Sequence, residues 1–235
     1  MTTPVNGTAS RPGVAPILRR RNYRPRPALA VLADPWVRLG IGLAGILASA
    51  CPVRADRVGR RESRLFLVVN GLPDSFYGPT WMIMQLGTLG AVPAAAGAAW
   101  AAGDRRLAWR LAAAGSATWA LAKLVKREVR RPRPAILLPG ARCRGPEASG
   151  LGYLSGHAGV ATALGAAAWP WFSPAGQAVI VLTVPIVGLS RAYIGAHLPL
   201  DIVGGAALGF AIDAAVDLVA ERRVSPRSWP RRAPR

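Results

Sequence analysis

Long apolar blocks separated by arginine clusters limit what this chain can fold into. Leu107–Val125, Gly176–Leu189 and Ile202–Ala220 are built mainly from Ala, Gly, Val and Leu. A helix rises about 1.5 Å per residue, so roughly 20 apolar residues cross a hydrocarbon core about 30 Å thick. These blocks approach or meet that length, which predicts membrane helices rather than a soluble core. The formal net charge of +19 sits between and outside the blocks, not as a stripe along one helix face. Arginines so placed flank membrane helices and meet anionic headgroups. Nucleic acid is therefore not expected as a partner. Nearly all the cations are arginine, a bias that codon usage alone can produce, so the two lysines, Lys123 and Lys126, are the more informative.

The pattern predicts an all-α fold, a bundle of six transmembrane helices. The first covers about Trp36–Pro52. Val53–Pro79 opens with arginines and breaks at Leu72-Pro73-Asp74, which makes it interfacial. The second helix covers Trp81–Ala102 with a kink expected at Pro93, and Gly103-Asp104-Arg105-Arg106 forms a tight turn. The third covers Leu107–Lys126. Arg127–Leu154 reads as a polar loop of a length that is usually functional or disordered. The fourth helix starts near Ser155 and ends near Phe172, and the fifth covers Gln177–Ala192. The sixth runs from about Leu198 to Ala220, with Pro199 in a first turn that needs no N–H there. Gly205 and Gly209 on it form a GxxxG pair, whose simplest use is close helix packing.

Three regions follow: a basic N-terminal tail at 1–34, a membrane domain at 35–220 and a basic C-terminal tail at 221–235. The first tail lacks the apolar core of a signal peptide, and both tails have the polar, charged composition of disordered segments. An even number of spans puts the two arginine-rich tails on one side, which favours cytoplasmic termini. Neither Cys51 nor Cys143 belongs to a CxxC pair, which argues against a zinc site. Both fall on the outer side in this layout. Two free thiols are the expectation, with a disulfide as the alternative if that side is oxidising.

The chain has two histidines, His157 and His197, and both have suggestive neighbours. Ser190-Arg191 is followed by Ala-Tyr-Ile-Gly-Ala, then His197 and, four residues on, Asp201. That spacing puts carboxylate and imidazole on one helical face. The carboxylate would accept from one ring nitrogen, fix the tautomer and leave the other nitrogen as a nucleophile. Arg191 can fork onto phosphate oxygens. In Ser155-Gly156-His157 the serine is a helix N-cap, and the N–H groups after it form an anion site. Gly156 allows close approach of a phosphate, and His157 stands beside it to donate a proton. Lys126 and Arg133 close the third helix and can neutralise phosphoryl charge.

Lys126-x6-Arg133-Pro134, then Ser155-Gly156-His157, then Ser190-Arg191-x5-His197-x3-Asp201 resembles the type-2 phosphatidic acid phosphatase superfamily. That superfamily includes lipid phosphate phosphatases, soluble acid phosphatases and vanadium haloperoxidases. Its second motif has proline before the serine, where this chain has Leu154. The resemblance covers about Ala120–Gly205 by motif. It implies that Lys126, Arg133, Ser155, Gly156 and Arg191 bind the phosphoryl group. It implies also that His197 attacks phosphorus, oriented by Asp201, and that His157 protonates the leaving oxygen. The resemblance implies a phosphohistidine from which water releases phosphate, with no metal and no cofactor. The motifs fall at helix ends on one membrane face, the extracytoplasmic one if the termini are inside. The expected protein is a multi-pass cell-membrane enzyme acting on a polyprenyl phosphate or diphosphate, phosphatidate or phosphatidylglycerophosphate. The alternative is a non-catalytic membrane protein whose basic loops bind anionic lipids. A vanadate-dependent oxidant is set aside because those proteins are soluble. Neither the lipid nor the oligomeric state is readable from sequence.

Overall fold

The computed structural model describes residues 34–53, 57–145 and 150–224, with side chains through 220. Helices α1 (Pro35–Val53), α2 (Arg60–Asn70), α3 (Tyr77–Met84), α4 (Ala91–Ala101) and α5 (Arg105–Val129) are followed by α6 (Pro134–Leu137), α7 (Gly156–Ala168), α8 (Pro174–Tyr193) and α9 (Pro199–Val224). Three of them, α1, α8 and α9, are long and apolar enough to cross a membrane. A fourth crossing is possible if the segment 74–101 counts as one, although it bends by 66°.

Local chemistry sets the helix ends. The Asp104 side chain caps α5 by accepting from the Leu107 N–H at 2.8 Å. At the other end Arg130 takes a left-handed φ of 53°, with Lys126 and Arg127 in the last turn where the helix dipole favours cations. Ser155 caps α7, and Ser173 caps α8 ahead of Pro174. Pro199 opens α9.

Helix packing rests on small residues. Lipid tails are as apolar as leucine, so van der Waals contact rather than the hydrophobic effect holds membrane helices together. A Cβ on Gly205 would lie 2.2 Å from the Ser155 carbonyl, and one on Gly209 2.1 Å from that of Gly159. The GxxxG pair therefore lets α9 touch the backbone of α7, as its spacing suggests. On the other side of α9, Gly42 and Gly45 of α1 approach Ala211 and Ala207. Many large apolar side chains point outward, among them Leu47, Val179, Leu182 and Val203, as suits a surface solvated by lipid.

The structure alters several expected boundaries. The second helix is not one rod kinked at Pro93. It is α3, a 3-10 turn at Gln85–Gly87 and α4, with the break at residues 88–90. Pro93 falls in the first turn of α4, where a missing N–H leaves no intrahelical bond unmade. The fourth helix stops at Ala168 and continues only as a 3-10 turn, Trp169–Trp171. Much of the long loop is ordered: it holds α6 and an isolated bridge between Pro132 and Leu151. The interfacial segment contains α2, whose 11 residues are too few to span. Phe66 of α2 is buried against Ala192 and Leu198, while Leu65 and Val68 face outward. The basic N-terminal tail lies outside the described residues except for Asp34, and α9 runs on into the region expected as the C-terminal tail. Cys51 and Cys143 are exposed and unpaired.

Candidate active site

The chain ends of α5, α7, α8 and α9 meet at one end of the bundle. Between α8 and α9 a tight turn, with Gly195 at φ 81°, carries His197. The Arg191 carbonyl at the end of α8 accepts the N–H groups of Ala196 at 2.9 Å and His197 at 3.1 Å. This backbone clasp places the histidine beside the arginine. His197 is only 2% exposed, and its Nδ1 lies 3.6 Å from Asp201 Oδ2. The two are not on one helix as expected. His197 precedes α9 and Asp201 sits in its first turn, so a loop–helix junction brings them together.

Asp201 is fully buried. Its Oδ2 accepts the Leu198 N–H at 2.9 Å and its Oδ1 accepts Arg131 Nη1 at 2.8 Å. The Asp201 carbonyl accepts the Ser155 N–H at 2.8 Å, which ties the start of α7 to the start of α9. Ser155 is buried, and its Oγ accepts the Ala158 N–H at 3.4 Å as a helix cap. His157 and Gly156 in the first turn of α7 are partly exposed. A Cβ on Gly156 would meet nothing within 4 Å, so there is open space at the helix N-terminus.

The cations arrive from three directions. Lys126 Nζ, near the end of α5, donates to the carbonyls of Leu151 at 2.9 Å and Gly152 at 3.0 Å. Arg133 occupies the N-cap position of α6, and its side chain lies against Gly150. Arg191 is buried, with Nη1 2.8 Å from Met84 Sδ. All three act on His197. Burial foremost, then the charges of Lys126, Arg191, Arg133 and His157, hold its pKa well below the ordinary 6.5. At neutral pH the imidazole is therefore uncharged, and a neutral ring with one nitrogen turned toward a carboxylate has its other nitrogen's lone pair available. Cations and helix N–H groups close to that nitrogen suit a phosphoryl group.

Two residues at this site escaped the sequence reading. Arg131 was one of several arginines ending the third helix, and Glu62 one acid in an arginine-rich stretch. The structure joins them: Arg131 Nη2 donates to Glu62 Oε2 at 2.8 Å and Nη1 to Oε1 at 3.1 Å. Burial opposes the charge on Arg131, but the hydrogen bonds and charges of Glu62 and Asp201 outweigh it and raise its pKa. The pairing crosses 69 residues of sequence, so no local signal announced it. A second clamp was also unforeseen. Arg144 Nη1 donates to the carbonyls of Asn70 and Tyr193, both at 2.7 Å, and holds the ordered loop against the end of α8.

Comparison with known proteins agrees with the motif reading. Residues 106–224 match the PAP2 superfamily. Over 148 residues the chain is 36% identical to the decaprenylphosphoryl-5-phosphoribose phosphatase of Mycobacterium tuberculosis, covering 63% of this chain and 75% of that one. Among solved structures, LpxE of Aquifex aeolicus aligns with a TM-score of 0.61 at 21% identity, over 66% of this chain and 93% of that one. The transmembrane PAP2-type phosphatidylglycerolphosphate phosphatase of Bacillus subtilis aligns at 0.59 and 18% identity, over 80% and 99%. At these identities the two structures speak to the fold.

Proposed function

The chain belongs to the PAP2 superfamily, and on that premise we propose that it is a membrane lipid phosphatase working through a phosphohistidine on His197. One observation carries the reading: a buried, neutral imidazole turned toward Asp201 stands among Lys126, Arg133, Arg191 and His157. His197 Nε2 attacks phosphorus while the bond to the ester oxygen breaks, and His157 gives that oxygen its proton. His157, now neutral, takes a proton from water as the water attacks the phosphohistidine. The P–N bond breaks, phosphate leaves and His197 is restored. The cations hold the phosphoryl oxygens and stabilise charge that develops on them, with N–H groups at Gly156 and the Ser155 hydroxyl beside them. No metal is required in this scheme.

The substrate we propose is a phosphomonoester or diphosphate carried on a lipid. A polyprenyl-phosphate-linked compound heads the group, supported by the relative that shares 36% identity. We place six crossings in the bilayer: α1, the bent α3–α4 pair, α5, α7, α8 and α9. The active end is extracytoplasmic and both termini are inside, supported by the arginine-rich tails. The protein needs no cofactor.

The test is phosphate release by detergent-purified protein in EDTA, across polyprenyl-phosphate-linked sugar phosphates, polyprenyl diphosphate, phosphatidate and phosphatidylglycerophosphate. Release with acid-labile phosphate trapped on the protein is expected. No release from any lipid would return the chain to the non-catalytic alternative, and loss of release on chelation would overturn the metal-free scheme.

A further inference from the structure

We propose that Arg131 and Glu62 are positioning residues that aim the His197–Asp201 pair, making the short helix α2 part of the catalytic apparatus. The proposal rests on the phosphohistidine reading above.

Asp201 can orient an imidazole only if its own carboxylate cannot rotate. Its Oδ2 is held by the Leu198 N–H at 2.9 Å, and its Oδ1 by Arg131 Nη1 at 2.8 Å. With both oxygens fixed, Oδ2 is the one that faces His197 Nδ1. Arg131 in turn cannot swing. Its planar fork meets Glu62 through both terminal nitrogens, at 2.8 and 3.1 Å, and a two-point contact fixes the plane of a guanidinium as one contact cannot. Glu62 Oε1 also accepts the Leu200 N–H at 3.1 Å. One carboxylate on α2 thus holds the arginine behind Asp201 and the backbone of the turn that carries Asp201.

Both side chains of the pair are largely withdrawn from solvent. The Arg131 side chain is 2% exposed and that of Glu62 7%. A Cβ on Gly152 would lie 3.0 Å from Asp201 Oδ2, so no side chain intrudes there. The Gly152 N–H donates to the Arg131 carbonyl at 2.7 Å, and the Gly152 carbonyl accepts Lys126 Nζ. The geometry of Arg131 therefore reaches both the general alignment of His197 and the loop that a phosphate-binding lysine grips. Arg131 touches no reacting atom. Its effect passes through Asp201.

Steady-state kinetics on full-length protein in detergent test this, with melting followed in parallel. Glu62→Gln keeps the size and loses the ion pair. It should lower kcat by roughly 10-fold and leave KM within about twofold, because misalignment affects the reacting geometry more than binding. Arg131→Met should lower kcat by about 100-fold, and Arg131→Lys should recover part of it. In an Asp201→Asn background Glu62→Gln should cost little more, since the group it aims is already gone. Arg61→Gln, on the exposed side of α2, should leave kcat unchanged. If Glu62→Gln lowers the melting temperature but keeps full kcat, or if its loss simply adds to that of Asp201→Asn, the relay is overturned. A wild-type protein that is inactive, or a His197→Ala variant that turns over, defeats the phosphohistidine reading instead.

Discussion

Two clusters of buried charge share helices α5 and α9, and they are built differently. Toward the start of α5, Arg110 meets Asp213 and Asp217 of α9, at 2.9 and 2.7 Å, and Arg38 of α1 pairs with the same two carboxylates. Two cations face two anions, and the Trp171 ring packs 5.9 Å from Arg110. At the other end, Lys126, Arg133 and Arg191 gather about His197, and Arg131 pairs with the carboxylates Asp201 and Glu62. From Arg110 to Lys126 along α5 is about 24 Å, and from Asp201 to Asp213 along α9 about 18 Å. The balanced cluster suits a structural staple across three helices. The positive excess suits an end that receives an anion. Arginine in a membrane protein is therefore not one signal, and its meaning depends on how many carboxylates share its pocket.

The sharpest way to break this contrast is at His197, the proposed nucleophile. His197→Ala should remove turnover by a factor of about 10⁵ or more, on the scale seen when a catalytic nucleophile is deleted, while the melting temperature in detergent stays near wild type. A folded variant that still releases phosphate would end the contrast. Next, Arg191→Gln should lower kcat/KM by about 100- to 1,000-fold, as loss of one preorganised charge contact does. Asp213→Ala should do the reverse. It leaves two buried arginines short of a carboxylate, costing about 3–5 kcal/mol of stability, while kcat per folded molecule changes little. Activity lost in proportion to Arg191→Gln would show that the staple is not separate from the site.

A smaller effect concerns pH. The folded chain holds the His197 pKa well below 6.5, through burial first and the neighbouring cations after it. Below about pH 6.5 the unfolded chain gains a proton that the folded chain refuses. The stability this group contributes is complete above that pH and is lost as pH falls toward the lower folded value. Melting temperature measured from pH 7.5 to 5 should fall less steeply in His197→Gln than in wild type. Smallest of all, intact mass should be the same with and without reductant, since Cys51 and Cys143 are exposed and unpaired.

Much of the candidate site was legible because its groups lie in short, spaced motifs. Lys126 with Arg133, Ser155 with His157, and Arg191 with His197 and Asp201 each sit within a few residues of a helix end, where periodicity and capping rules apply. The GxxxG reading of Gly205 and Gly209 rested on the same local logic. The broken second span was not legible. Composition reads Trp81–Ala102 as one apolar run with a kink at Pro93, whereas the chain breaks after Gly87, which packs so close to the His157 carbonyl that a Cβ would lie 2.5 Å away.

Sequence alone pointed to apolar helices of membrane-spanning length and a helical fold, and its motifs, by their resemblance to the PAP2 superfamily, to a phosphatase. Apolar length, helix-end chemistry and residue spacing are local properties, and the linear order of residues expresses them directly. Tertiary structure decided which of the arginines gather beside His197, which staple helices and which hold Asp201. It did so because Arg131 and Glu62, or Arg110 and Asp213, meet across 69 and 103 residues. A charge acquires its role from the partners that folding brings within about 3 Å of it.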